Sequence, residues 1–130
     1  MTVKSQITKS RVILVEGKDE VNFFNNLISF MGLSDIQIFD FVGKDSFTDK
    51  FCAFTKMPGF NLIRSIAIIR DADDDCEAAF RGVIGSIKHN ESNFLRPAHF
   101  NLDYPSTPGN FFRANNINIG IFIMPNNREI

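Results

Sequence analysis

Three short apolar runs, each followed at once by a stretch of helical periodicity, decide most of what this chain can fold into. RVILV (residues 11–15), IQIFDF (36–41) and SIAIIR (65–70) are rich in β-branched and aromatic side chains, which suits strands covered on both faces. After the first run, Phe24, Leu27, Ile28 and Met31 stand at i, i+3, i+4 and i+7, and Gly32 supplies a stop. After the second, a Gly43-Lys44-Asp45-Ser46 turn leads into a helix with Phe47, Phe51 and Phe54 on one face, halted at Pro58-Gly59. After the third, Cys76, Phe80, Val83, Ile84 and Ile87 form a stripe that reads as core-facing. Three βα units in series call for a parallel sheet with right-handed crossovers and helices on both faces, an α/β fold.

Residues 89–117 break this rhythm. They are rich in Asn, Pro and Ser without a sustained period, and read as an irregular insertion with room for a hairpin. INIGIFIMP (117–125) returns to an apolar run and is the expected fourth strand, making a four-stranded parallel sheet. The 130 residues suit one domain with a core that needs no disulfide or structural metal. The sequence stops five residues after Pro125 with no closing helix, so the expectation is a single domain over 1–130 cut short at its C-terminus.

Composition narrows the function classes. With 44% hydrophobic and 22% charged residues and no 18-residue apolar stretch, the chain has the profile of a soluble globular protein and a membrane role is not expected. No apolar segment followed by a cleavage site marks secretion, so the cytoplasm is the expected location. Cys52 and Cys76 lie on apolar-periodic stretches without CxxC spacing or a neighbouring histidine, and read as reduced core thiols. Most of the fifteen phenylalanines, Phe23 and Phe24 included, are expected in the core, so no base-stacking platform is evident. The formal net charge of −1 provides no general basic field, and any contact with nucleic acid must be local.

The acids at the strand ends carry the chemistry. Glu16 is the first residue after the first strand, and Asp71 and Asp73 follow the third in the run DADDD. Sites in open α/β sheets lie beyond the carboxyl ends of the strands, where strand order reverses. If the first and third strands are neighbours, in an order beginning 2-1-3, Glu16, Asp71 and Asp73 converge. Two like charges at about 4 Å cost about 1 kcal/mol in water and about 4 kcal/mol at an effective dielectric near 20, a conflict that a divalent cation removes. Oxygen-only donors favour a hard ion, magnesium or manganese, or calcium in a fuller cage. In extended chain Asp71 and Asp73 point the same way while Ala72 points away. Glu20, one helical turn after Glu16, offers a further ligand or a base. Asp74 and Asp75 have a simpler use in the first turn of the next helix, and capping is the plain alternative for the whole acidic run. Glu16 with Gly17 behind it shifts the balance toward a metal.

ILVEGKDEVNFF (13–24) together with IAIIRDADDD (66–75) resembles the Toprim domain, the metal-binding module of topoisomerases, DnaG-type primases, OLD-family nucleases and RNase M5-like maturases. The wording VEGKDE, the Gly-Lys-Asp turn and the INIGIFIMPNN strand are closer still to a bacterial Toprim-like family grouped with the OLD nucleases. The resemblance covers most of residues 10–128. It implies a Rossmann-like core in which Glu16, Asp71 and Asp73 bind magnesium and the site acts on phosphodiester bonds. In OLD-type members the acid four residues after the first glutamate also serves the metals, which here is Glu20. Similar members continue past the fourth strand with a further glutamate and a closing segment, whereas this sequence ends at Glu129-Ile130. Second-metal ligands or a catalytic lysine would then lie outside it. A topoisomerase needs an active-site tyrosine, and Tyr104, in a Pro-flanked loop, reads as a structural or surface residue.

The favoured expectation is a magnesium-dependent nuclease or related phosphotransfer module, with Glu16 and Glu20 in catalytic roles and Lys18, Lys44 and Arg70 touching backbone phosphate. Each lysine serves equally well as a solvating charge. Arg70, ending an apolar strand, calls for a partner such as a neighbouring carboxylate. A Toprim-like binding module without turnover is the second reading. A receiver-like phosphoacceptor is the third, and it lacks the lysine such sites carry after a later strand.

Overall fold

The structure, a computed structural model, describes residues 6–41, 46–72 and 75–124. Its elements follow the order β1 (Arg11–Val15), α1 (Lys18–Met31), β2 (Ile36–Asp40), α2 (Phe47–Thr55), β3 (Ser65–Asp71), α3 (Cys76–His89), α4 (Glu91–Phe94), β4 (Phe111–Ala114) and β5 (Ile117–Met124). The five strands form one sheet in the order β2-β1-β3-β5-β4. β2, β1, β3 and β5 run parallel, and β4 pairs antiparallel with β5 through a hairpin. The fold is therefore mixed α/β, with the expected parallel strands in place and a fifth strand added at one edge.

That fifth strand corrects the four-stranded expectation. Residues 89–117, read as irregular, contain the short helix α4 and the whole of β4. Asn115, at φ 59, takes the left-handed conformation needed by the tight turn that joins β4 to β5.

The parallel register sets the core. Val12 and Leu14 of β1, Ile66 and Ile68 of β3, and Ile119 and Ile121 of β5 alternate onto one face and are each at most 2% exposed. Phe51 and Phe54 of α2 and Phe80, Val83 and Ile87 of α3 close over them. Right-handed crossovers explain the arrangement: the chain moves one way from β1 to β2 and the other way from β2 to β3, so α1 and α2 fall on opposite faces. Both core helices start on side-chain caps, Ser46 accepting from the Asp49 N–H and Asp75 from the Ala78 N–H, each at 3.1 Å. The capping role expected of Asp75 is thus observed.

On the other face α1 stands mainly over β2. It has no fully buried residue, and Phe23, Phe30 and Met31 are 60%, 89% and 59% exposed. This overturns the expectation that Phe23 belongs to the core: α1 is apolar on more of its circumference than one sheet face can cover. The cysteine reading also changes. Cys76 is exposed at the first position of α3 and Cys52 is half-buried, so neither is a core thiol. The α3 stripe becomes buried only from Phe80 onward, at Phe80, Val83 and Ile87.

Candidate functional site at the strand exits

β1 lies between β2 and β3, so the adjacency on which the metal reading depends is present. The chain leaves β1 through Glu16 and Gly17 and enters α1 at Lys18. Gly17, at φ 112, makes that bend possible. A Cβ there would lie 2.5 Å from the Glu20 Oε1, which shows the Glu20 carboxylate folded back over the turn. The Gly17 N–H donates to the Asp40 Oδ1 at 3.0 Å. Glu20 and Asp40 therefore both reach Gly17, the residue after Glu16.

Register explains the partner of Glu16. Leu14 pairs with Ile68, so two residues on, Glu16 comes level with Arg70. The Arg70 Nε donates to the Glu16 Oε1 at 2.8 Å, with side chains 25% and 33% exposed. The guanidinium also sits 5.0 Å from the centroid of the Phe47 ring in α2. Arg70 thus shares the sheet face of Ile66 and Ile68, and its charge is met by a carboxylate below and an aromatic face beside it. This is the partner that an arginine at the end of an apolar strand requires.

Asp71 is the last residue of β3, paired in register with Met124, and is exposed. By strand alternation it belongs to the face of Ala67 and Ile69, opposite Arg70. Ala72 is buried, and its N–H donates to the Met124 carbonyl at 2.9 Å, extending the ladder by one residue. Lys18 is exposed at the start of α1. Asp73 and Lys44 lie outside the described residues, as does Asp74.

Among the described residues no three His, Cys, Asp or Glu side chains stand close enough to hold a metal ion between them. The donors near the β1 and β3 exits are all carboxylate oxygens, which fits a hard ion such as magnesium or manganese and not a thiophilic one. Arg70 already places a positive charge against Glu16, so an ion bound there has to compete with the guanidinium for that carboxylate. Glu16 thus leaves β1 on the face of Arg70, while Asp71 ends β3 on the other face, side by side at neighbouring strand exits.

Sequence reasoning missed Asp40. The signal was available, since Asp40 closes the strand next to β1 level with Val15, one residue before Glu16, but it was absorbed into the strand as part of IQIFDF. A cleft of about 420 Å³ at the opposite end of the sheet, lined by residues including Phe60, Asn61, Asn93, Arg96 and Asn115, has no carboxylate in its lining.

Residues 10–130 match the model of a family described as protein of unknown function (DUF3226), and the chain belongs to that family. Comparison with curated proteins and with solved structures gives no significant match.

Proposed function

We propose that this DUF3226 member carries a Toprim-like site that uses magnesium or manganese to cleave or transfer phosphodiester bonds in nucleic acid, as a cytoplasmic enzyme. The observation that carries this reading is the strand order β2-β1-β3, which sets the exits of the Glu16 and Asp71 strands side by side. The parallel strands β2-β1-β3-β5 also agree with a four-strand parallel Toprim core, with β4 an addition on the edge far from the site.

In this reading Glu16, Asp71 and Asp73 hold the ion, and Glu20, already turned back toward Gly17, accepts a proton or completes the ligand set. A bound ion of this class supplies Lewis acidity toward the phosphoryl oxygens. Lys18, Lys44 and Arg70 meet the phosphate backbone, which orients the strand without reading its sequence. Arg70 has two uses for one charge: it neutralises Glu16 in the free protein and turns to phosphate when the ion takes its place.

A second reading, a binding module without turnover, draws support from the same ion pair, because a carboxylate satisfied by arginine has less to gain from a metal. Magnesium- or manganese-dependent cleavage of single-stranded, duplex and structured RNA and DNA separates the two. The enzyme reading expects cleavage by the wild type and none by Glu16→Gln. Metal binding with no cleavage of any substrate would favour the silent module.

A further inference from the structure

The face of the sheet that carries α1 is covered only in part by the described residues. α1 stands mainly over β2, and across the sheet Phe111 leans over Gly120 of β5, its ring 5.6 Å from that of Phe122. A Cβ at Gly120 would lie 2.8 Å from the Phe111 ring, so glycine at this position is what allows the ring to lie down on the strand. Between these flanks runs a trough of about 250 Å³ whose lining includes Ile13, Ala67, Ile36 and Phe111. Three strand intervals separate β2 from β5, about 14 Å; α1, about 10 Å across and standing over β2, takes about 5 Å of that, and the roughly 9 Å left is close to the width of one more helix.

The same face also offers a helix that needs such a trough. The outer side of α1 presents Phe23, Leu27, Phe30 and Met31, with Phe30 89% exposed. From Val21 to Ser34 the sequence holds no charged residue. A ridge and a matching trough on one face of one chain are what a two-fold symmetric interface requires, because each copy then gives its ridge to the other's trough. A neutral ridge also meets its own copy without like-charge repulsion.

We infer that the chain forms a two-fold dimer in which α1 of each copy lies in the trough of the other, so that two antiparallel helices are sandwiched between two sheets. The exposed parts of Phe23, Leu27, Phe30, Met31, Leu33 and Phe111 amount to about 600 Å² per copy, taking about 200 Å² for a whole aromatic side chain. Two copies thus bury about 1,200 Å², the lower bound of a stable specific interface. Burying Phe30 in the partner's trough makes it the anchor of the contact.

Sedimentation equilibrium on the chain tests this. The wild type is expected at twice 14.7 kDa. Phe30→Glu and Phe23→Glu are each expected to weaken the dimer by roughly thirtyfold or more while keeping the wild-type circular dichroism, since neither side chain supports the single-chain core. Arg81→Glu, on the opposite face of the sheet, is expected to leave the dimer intact. A wild type that stays at 14.7 kDa, a mass that climbs without limit as concentration rises, or a dimer indifferent to both α1 substitutions would overturn the inference.

Discussion

Tyr104 should lower the stability of the chain as the solution becomes alkaline, and Tyr104→Phe should remove that loss. Its hydroxyl donates to the Glu91 Oε2, while the Asn101 N–H donates to the Glu91 Oε1 at 2.8 Å. Glu91 is only 7% exposed, and the Tyr104 ring lies 5.4 Å from that of Phe112. Burial first, and then the hydrogen bond to Glu91 and its charge, raise the phenol above its ordinary value of 10.0. The Lys88 ammonium lies 5.3 Å from the ring centroid.

Below about pH 10 the phenol is protonated in both the folded and unfolded chain, and Tyr104 leaves stability independent of pH. Above that value the unfolded chain releases the proton while the folded chain holds it, so stability falls as pH rises. The loss is at most about 1.4 kcal/mol per pH unit and, with solvent screening of a half-buried ring, about 1 kcal/mol. Urea unfolding between about pH 9 and about pH 11 measures it, and the difference between wild type and Tyr104→Phe cancels the lysines common to both. With one tyrosine and no tryptophan in the chain, phenolate absorbance reports this group alone. A folded chain whose phenolate appears at the free value, or two proteins with the same alkaline dependence, would refute the reasoning.

Gly59→Ala is expected to destabilise by about 2–4 kcal/mol in chemical denaturation, because at φ 91 the added Cβ would lie 2.0 Å from the backbone carbonyl oxygen of Ile7. Asp75→Ala removes the cap of α3 and should cost about 1 kcal/mol in the same assay. Arg70→Met frees Glu16 and removes a competing charge, so calorimetry should show magnesium binding about tenfold tighter, the size of one half-buried charge-assisted pair. Weaker binding would mean instead that Arg70 holds Glu16 in its binding pose.

The three βα units were legible because each strand is an unbroken apolar run and each helix begins with a glycine turn or a capping residue, as at Gly17, Ser46 and Asp75. β4 was not, because FFRA is four residues long and its partner strand follows only after a two-residue turn inside an Asn-rich segment. The apolar period of α1 announced a helix correctly, yet period alone does not say whether a second surface exists to cover Phe23 and Phe30. At the site, Glu16 and Asp71 were readable as strand-end acids and Arg70 as a charge in need of a partner. Asp40, an acid ending the strand beside β1, was readable in the same way, whereas the Glu91–Tyr104 pair was not, because both residues lie in a segment without a sustained period to show which of them meet.

Thermal unfolding with magnesium or manganese, for the wild type and Asp71→Asn, tests the shared strand-exit site most directly. The account predicts a metal-dependent gain of about 2.7 kcal/mol at a hundredfold excess over Kd for the wild type, lost in Asp71→Asn. No gain in the wild type, or an equal gain in both proteins, would contradict it.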